Sequence, residues 1–367
     1  MNRRLTALAK TSIGLARSGR PLLAGADSSR FALVVGDHFT GNFGDLLCWY
    51  ALADTLRESG LRPLAVPRGG RRGAGLLRRL RDTRATSGIE PVIVVGGGTL
   101  IGRSGYRERL SALDRVYPEA PLWVLGPGVE DPRFESDRTD DAEMRAWSEH
   151  LARVSSGWVR GSRSRELLRS YGVDLPAAGD AAFALLGQRP PTTPRSDTTA
   201  AVSLIGHDEA WGSVSASTVR SIVSDVLADR GYVVTPIVSA AEDAVDDHAW
   251  KRLESGPSRV ERTLRTLEDT DLVIGGRLHV ALAAAALGRP TVAIEYRPKF
   301  ADALSTLPPS VPIVRTSDLT HERLHAAIDQ AMNSDLEACR VAVTAAGHDQ
   351  RRIVATAARS LGAPRSK

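Results

Sequence analysis

Short, continuous apolar runs recur along the chain, separated by polar stretches with helical periodicity. FALVVGD (31–37), PVIVVGG (91–97), PLWVLGPG (121–128) and a shorter run ending at Trp158 read as strands. Residues 45–59 and 142–154 read as amphipathic helices between them. A strand that is apolar at every position is covered on both faces, and such strands alternating with helices predict a parallel sheet. The rhythm breaks at GQRPPTTPRSDTT (187–199), whose proline-rich, polar composition suits a linker. It then restarts. AAVSLIG (200–206), YVVTPIVS (232–239), DLVIGG (271–276), TVAIEY (291–296) and VPIVRT (311–316) read as further strands. A helix is predicted over 214–229 and a helical zone up to about residue 269. Ser334-Asp-Leu-Glu337 fits a capping box that opens a last helical region.

The predicted fold is α/β, with two Rossmann-like domains facing a central cleft. A basic N-terminal extension covers 1–30 and the N-terminal Rossmann-like domain 31–187. A linker covers 188–199 and the C-terminal Rossmann-like domain 200–335. The helical region over 336–367 can cross back to the N-terminal domain. In such sheets ligands sit beyond the carboxyl ends of the strands, so the candidate residues are those in the loops there.

Size and composition narrow the picture only slightly. The 367 residues hold two domains of ordinary size, and 42% hydrophobic residues give each a core. A net charge of +5 suits anionic partners: phosphorylated metabolites, acidic head groups or nucleic acid. Cys48 and Cys339 are too few for a disulfide framework and predict a reducing, cytoplasmic setting. No apolar run reaches the roughly 18 residues of a membrane helix. The opening MNRRLTALAKTSIGLARSGRPLLAG is basic, weakly amphipathic and without the apolar centre of a signal peptide. It reads either as a loosely docked extension or as a segment lying on an anionic membrane at the inner face of the plasma membrane. RGGRRGAGLLRRLRDTR (68–84) adds seven arginines, either a solvated face or a lipid or polymer contact. It lacks the interleaved aromatics of a nucleic-acid groove, so no nucleic-acid partner is expected.

Five stretches at strand ends carry candidate chemistry. In GDHFTGNFGD, Asn42 can cap the next helix and Asp45 can return a bond, while Gly41 and Gly44 admit close backbone approach. In VVGGGTLIG, Gly97 and Gly98 serve a turn or cradle a ligand, and Thr99 can cap or bind. In WVRGSRSRELLRSYG, Arg160 ends a strand and Ser162 or Ser164 starts a helix over 165–171. An arginine beside free helix N–H groups suits a carboxylate or phosphate. Asp180 follows, either orienting Arg160 or ending a strand. In DLVIGGRLHVALAAAALG, Arg277 and His279 sit at the mouth of an alanine-rich helix that needs neither for packing. The helix dipole opposes a charged imidazole there, and an anion on Arg277 favours it; an imidazole so balanced can exchange protons. In EYRPKF, Tyr296 and Lys299 follow the next strand, and Lys299 is either a phosphate contact or a surface lysine.

Together, GNFGDLLCWYALADTLRESG, VVGGGTLI, VLGPGVE, VRGSRSRELLRSYGV with GDAAFAL, and DLVIGGRLHVALAAAALGRPTVAIEYRPK resemble the polysaccharide pyruvyl transferase family. They occur in family order from about Val34 to Lys299, and Arg-Leu-His followed by G-x-P and Y-x-x-K is the most specific element. Gly161 departs from the acidic residue that members often carry there. The resemblance implies a GT-B-like architecture and pyruvyl transfer from phosphoenolpyruvate to two hydroxyls of a sugar, in a polysaccharide, oligosaccharide or glycolipid. It implies His279 as the essential histidine and Arg160 and Arg277 as donor-binding arginines; Leu278, Lys299 and Ser164 join them as donor-side candidates. Asn42, Gly44, Asp45, Gly97, Gly98, Thr99, Asp180 and Tyr296 fall to the acceptor or to orientation. The chemistry requires no metal and no cofactor beyond the donor. Two rivals stand beside it: a nucleotide-sugar glycosyltransferase on the same architecture, and a non-catalytic binder of acidic glycans or lipids.

Overall fold

The computed structural model describes residues 30–38, 41–67, 75–82, 90–134, 138–190, 198–206, 214–240, 243 and 257–361. The basic extension, most of the linker and the flanks of the arginine-rich stretch lie outside the described residues. The chain divides into two compact units. The first takes residues up to Thr40, Cys48–Ala184 and the chain from His348 on; the second takes Gly41–Leu47 and Leu185–Gly347.

The first unit contains β1 (Phe31–Val35), β2 (Arg62–Val66), β3 (Val92–Gly96), β4 (Thr99–Ile101), β5 (Leu122–Leu125), β6 (Gly128–Val129) and β7 (Val154–Trp158). Its main sheet runs β2-β1-β3-β5-β7, parallel throughout, while β4 and β6 form a separate short pair. β1, β3 and β5 are buried at every position, as continuous apolar runs require. Helix Asp141–Leu151 adds Met144, Trp147 and Leu151 to the core from one face, and Asp140 caps it by accepting from Glu143 N at 2.7 Å. Burying each such side chain is worth about 1.5–3 kcal/mol. β2 escaped the sequence reading because Pro63 breaks its pattern; it is an edge strand, where a missing N–H costs no ladder bond. Residues 75–82 form a helix whose Leu76, Leu77 and Leu80 meet the core while Arg78, Arg79 and Arg81 are exposed.

His38, just past β1, is 6% exposed, and its ring lies 4.6 Å from that of Trp49. Burial is the main cause that lowers its pKa to about 3, against the pull of Asp37. The unfolded chain therefore takes up this proton near pH 6.5 while the folded one does not. Stability is full above that pH and falls by about 1.4 kcal/mol per unit below it, until the folded imidazole itself charges near pH 3. Chemical denaturation of His38→Asn between pH 7 and pH 4 should show that much less acid sensitivity than the wild type; parallel curves would refute it.

The second unit contains β8 (Thr199–Ser203), β9 (Val233–Pro236), β10 (Leu272–Gly275), β11 (Thr291–Glu295) and β12 (Ile313–Arg315), in the parallel order β12-β11-β10-β8-β9. Pro236 again lies on an edge strand. Helix Leu278–Ala286 follows β10 and is buried at every position except His279. Its alanines let it close on the sheet: a Cβ on Gly275 would stand 2.7 Å from the Ala281 Cβ.

Two helix starts differ from the sequence reading. The helix after Arg160 begins at Ser162, not 165, with Gly161 as N-cap and no side-chain cap. The last helix, Leu336–Ser360, is capped by Asp335 rather than Ser334: Asp335 Oδ1 accepts from Ala338 N at 2.9 Å. Ser334 donates back to Gln330 O, and Glu337, one residue too early for a capping box, pairs with Arg340. The end of this helix belongs to the first unit, where Gln350 Nε2 donates to Ala178 O and Asp180 O at 2.8 and 3.0 Å. No helix among the described residues is long and apolar enough to cross a membrane.

Candidate active site

In the first unit the candidates meet where β3, β5 and β7 end. Gly97 and Gly98 have φ of 76° and 70°, a left-handed bend that glycine adopts freely between β3 and β4. Gly98 O then accepts from Gly128 N at 2.8 Å. Arg160 leaves β7 and lies across this turn, 1% exposed, with Nη1 donating to Thr99 Oγ1 at 3.2 Å. A Cβ on Gly128 would stand 2.5 Å from the guanidinium carbon, so glycine is what makes room for the arginine. Ser164 is 2% exposed and its hydroxyl accepts from Val129 N at 3.1 Å, fastening its helix to β6.

Asp180 does not end a strand. Its Oδ1 accepts from Ala182 N at 2.9 Å and its O from Phe183 N at 3.0 Å, opening the short helix Phe183–Leu186. The Cys48 thiol is 3.4 Å from the same Oδ1, and a Cβ on Gly97 would stand 2.8 Å from the Cys48 Cβ. Cys48 is thus a neighbour of both Asp180 and Gly97, which lie far apart in the chain.

In the second unit the centre is the end of β10. Arg277 is the extended N-cap of helix Leu278–Ala286, so Leu278 and His279 occupy its first turn. Arg277 Nε donates to Asp243 Oδ1 at 2.8 Å, and Nη2 donates to the same oxygen. The Gly41–Leu47 segment belongs to this unit as well. Asn42 caps helix Phe43–Glu58 by accepting from Gly44 N at 2.8 Å, and Asp45 lies in its first turn. Gly44 lies directly against the imidazole: a Cβ there would come within 2.0 Å of His279 Nδ1. After β11, Lys299 Nζ donates to Tyr296 Oη and stands 4.6 Å from that ring's centre.

Two residues of this region were missed. Asp243 and Arg259 hold the loop after β9, and nothing local in the sequence marks them. Burial is the main cause that lowers the Arg259 pKa, with Asp243 opposing it. It remains a cation, donating to Val238 O at 3.1 Å and also to Gly41 O.

Two parallel α/β sheets with charged groups at their carboxyl ends define a GT-B-like protein. Solved structures share this fold. A UDP-GlcNAc 2-epimerase from Methanocaldococcus jannaschii is 10% identical with a TM-score of 0.53, over 89% of this chain and 99% of that one. The enzyme from Neisseria meningitidis, bound to UDP-GlcNAc, is 9% identical with a TM-score of 0.54, over 89% and 100%. At such identity the likeness is one of fold. No curated protein matches the chain at a significant level. The polysaccharide pyruvyl transferase family model, however, matches residues 42–298, from the cap of the first helix to just past β11. The chain belongs to that family and is accordingly a transferase.

Proposed function

We propose that the protein moves the pyruvyl group of phosphoenolpyruvate onto two hydroxyls of a sugar in a cell-surface polysaccharide or glycolipid, closing a cyclic ketal and releasing inorganic phosphate. One observation carries this reading. At the end of β10 a guanidinium held by a buried carboxylate is followed two residues later by an imidazole in a helix's first turn, in a chain of the pyruvyl transferase family.

The donor has a carboxylate and a phosphate, and guanidinium groups bind both in bidentate fashion. Arg277 and Arg160 are assigned to these groups. The N–H groups at the start of helix Leu278–Ala286 favour a bound anion further. The chemistry is an addition followed by a substitution. The methylene carbon gains a proton and becomes a methyl group, and positive charge develops on the central carbon. A sugar oxygen bonds to that carbon and gives up its proton. A second sugar oxygen then bonds to the same carbon as the C–O bond to phosphate breaks, and its proton leaves with the phosphate or a base. His279 is assigned to proton transfer in the first step, since one imidazole can take the hydroxyl proton and supply another to carbon. Thr99, through Arg160, and Gly44, against His279, set the orientation of these groups.

Calorimetric titration of the purified protein with phosphoenolpyruvate, and separately with a panel of nucleotide sugars, tests the donor. Saturable binding of phosphoenolpyruvate in the roughly micromolar-to-millimolar range usual for substrates is expected. Binding of a nucleotide sugar without phosphoenolpyruvate would make the protein a glycosyltransferase instead.

A further inference from the structure

We infer that Asp243 is a positioning residue: it aims Arg277 at the donor, and the loop it anchors also sets the wall against which His279 rests. The inference rests on the assignment of Arg277 to the donor. The two oxygens of Asp243 have separate work. Oδ2 accepts from Ser239 N at 3.1 Å, Ser239 Oγ at 2.8 Å and Ala240 N at 3.0 Å, which fixes the acid to the loop after β9. Oδ1 accepts from Arg277, through Nε at 2.8 Å and through Nη2. The Asp243 side chain is 1% exposed, and a carboxylate so buried and so anchored has one orientation to offer. By holding the Nε side of a rigid, planar fork, it sets the direction in which the terminal edge points.

The same loop reaches the other half of this region. Ser239 O accepts from Phe43 N at 2.8 Å. Arg259 ties Val238 O, at 3.1 Å, to Gly41 O. The residues Val238–Ala240 therefore carry Arg277 through Asp243, and the Gly41–Phe43 turn through Ser239 and Arg259. Gly44, next in the chain, is the residue packed on the His279 imidazole. A shift of this one loop would move both the arginine and the surface that places the histidine. Because Asp243 already offsets the charge of Arg277, what Arg277 offers an anion is chiefly aimed hydrogen-bond donors, and aim is what Asp243 supplies.

Asp243→Asn is the informative variant. An amide has one accepting and one donating end, so either orientation sets an N–H against Arg277 or against the Ser239 and Ala240 donors. Three readouts are taken on the full-length protein: the Arg277 Nε–H resonance, assigned by its loss in Arg277→Lys; phosphoenolpyruvate affinity by calorimetry; and Tm. We expect the resonance of the wild type to be lost in Asp243→Asn, and affinity to fall about tenfold or more at a temperature where the variant is folded. An unaltered resonance overturns the proposal, and so does unchanged affinity in a variant that has lost it. If Asp243→Asn does not fold, Ser239→Ala removes one anchor of Oδ2, and a weakened resonance with a few-fold loss of affinity is expected; no change in either overturns the proposal. A wild type that does not bind phosphoenolpyruvate refutes the donor assignment, while the resonance still decides whether Asp243 holds Arg277.

Discussion

Replacing His279 by alanine is expected to lower turnover about 10³-fold while leaving phosphoenolpyruvate affinity within a few-fold. The split follows from the division of labour at the end of β10. Arg277, the N-cap, is the cation assigned to the donor, whereas His279 lies in the first turn with its imidazole against Gly44. Removing the imidazole takes away proton transfer, which matters in the transition state, and leaves the ground-state grip intact. Phosphate released from phosphoenolpyruvate, with a glycan fraction that supports wild-type turnover, gives the rate; calorimetry gives the affinity. Retained turnover would remove His279 from the mechanism. A large loss of affinity would make it a binding group instead.

The second large effect is expected from adding a single methyl group at Gly44. Its Cβ would fall 2.0 Å from Nδ1, 2.5 Å from Cγ and 2.9 Å from Cβ of His279, so the whole side chain must move rather than only its tip. Gly44 is in a helix, where its φ is not positive and alanine is the better helix former by up to about 1 kcal/mol. That gain offsets part of an overpacking cost of about 1–3 kcal/mol. Gly44→Ala should therefore stay folded with a modest change in Tm, yet lose turnover nearly as far as His279→Ala. In the His279→Ala background it should cost almost nothing more, because the group it displaces is gone. Full additivity of the two losses would show that Gly44 acts elsewhere.

How much of this was legible beforehand follows from what each feature depends on. β1, β3, β5, β10 and β11 are buried along their length, and burial on both faces writes itself as an unbroken apolar run. β2 was hidden because Pro63 reads as a breaker, and only its place at the sheet edge makes the proline harmless. Arg160, Arg277 and His279 stood out because they interrupt apolar context at strand ends, where parallel sheets place ligands. Asp243 did not: it lies among other acidic residues in SAAEDAVDD, and its partner is 34 residues away. Gly44 and Gly128 were readable as glycines, but the side chains they make room for, His279 and Arg160, are brought to them only by the fold.

The proposed function requires that Arg277 and Arg160 each contribute to phosphoenolpyruvate binding. Titrating phosphoenolpyruvate into the wild type, Arg277→Ala and Arg160→Ala in a calorimeter tests it most directly. Saturable binding by the wild type, weakened at least about tenfold by each substitution, is the predicted result, since each removes a charged hydrogen-bonding partner of the ligand. Wild-type affinity retained in both folded variants would contradict it.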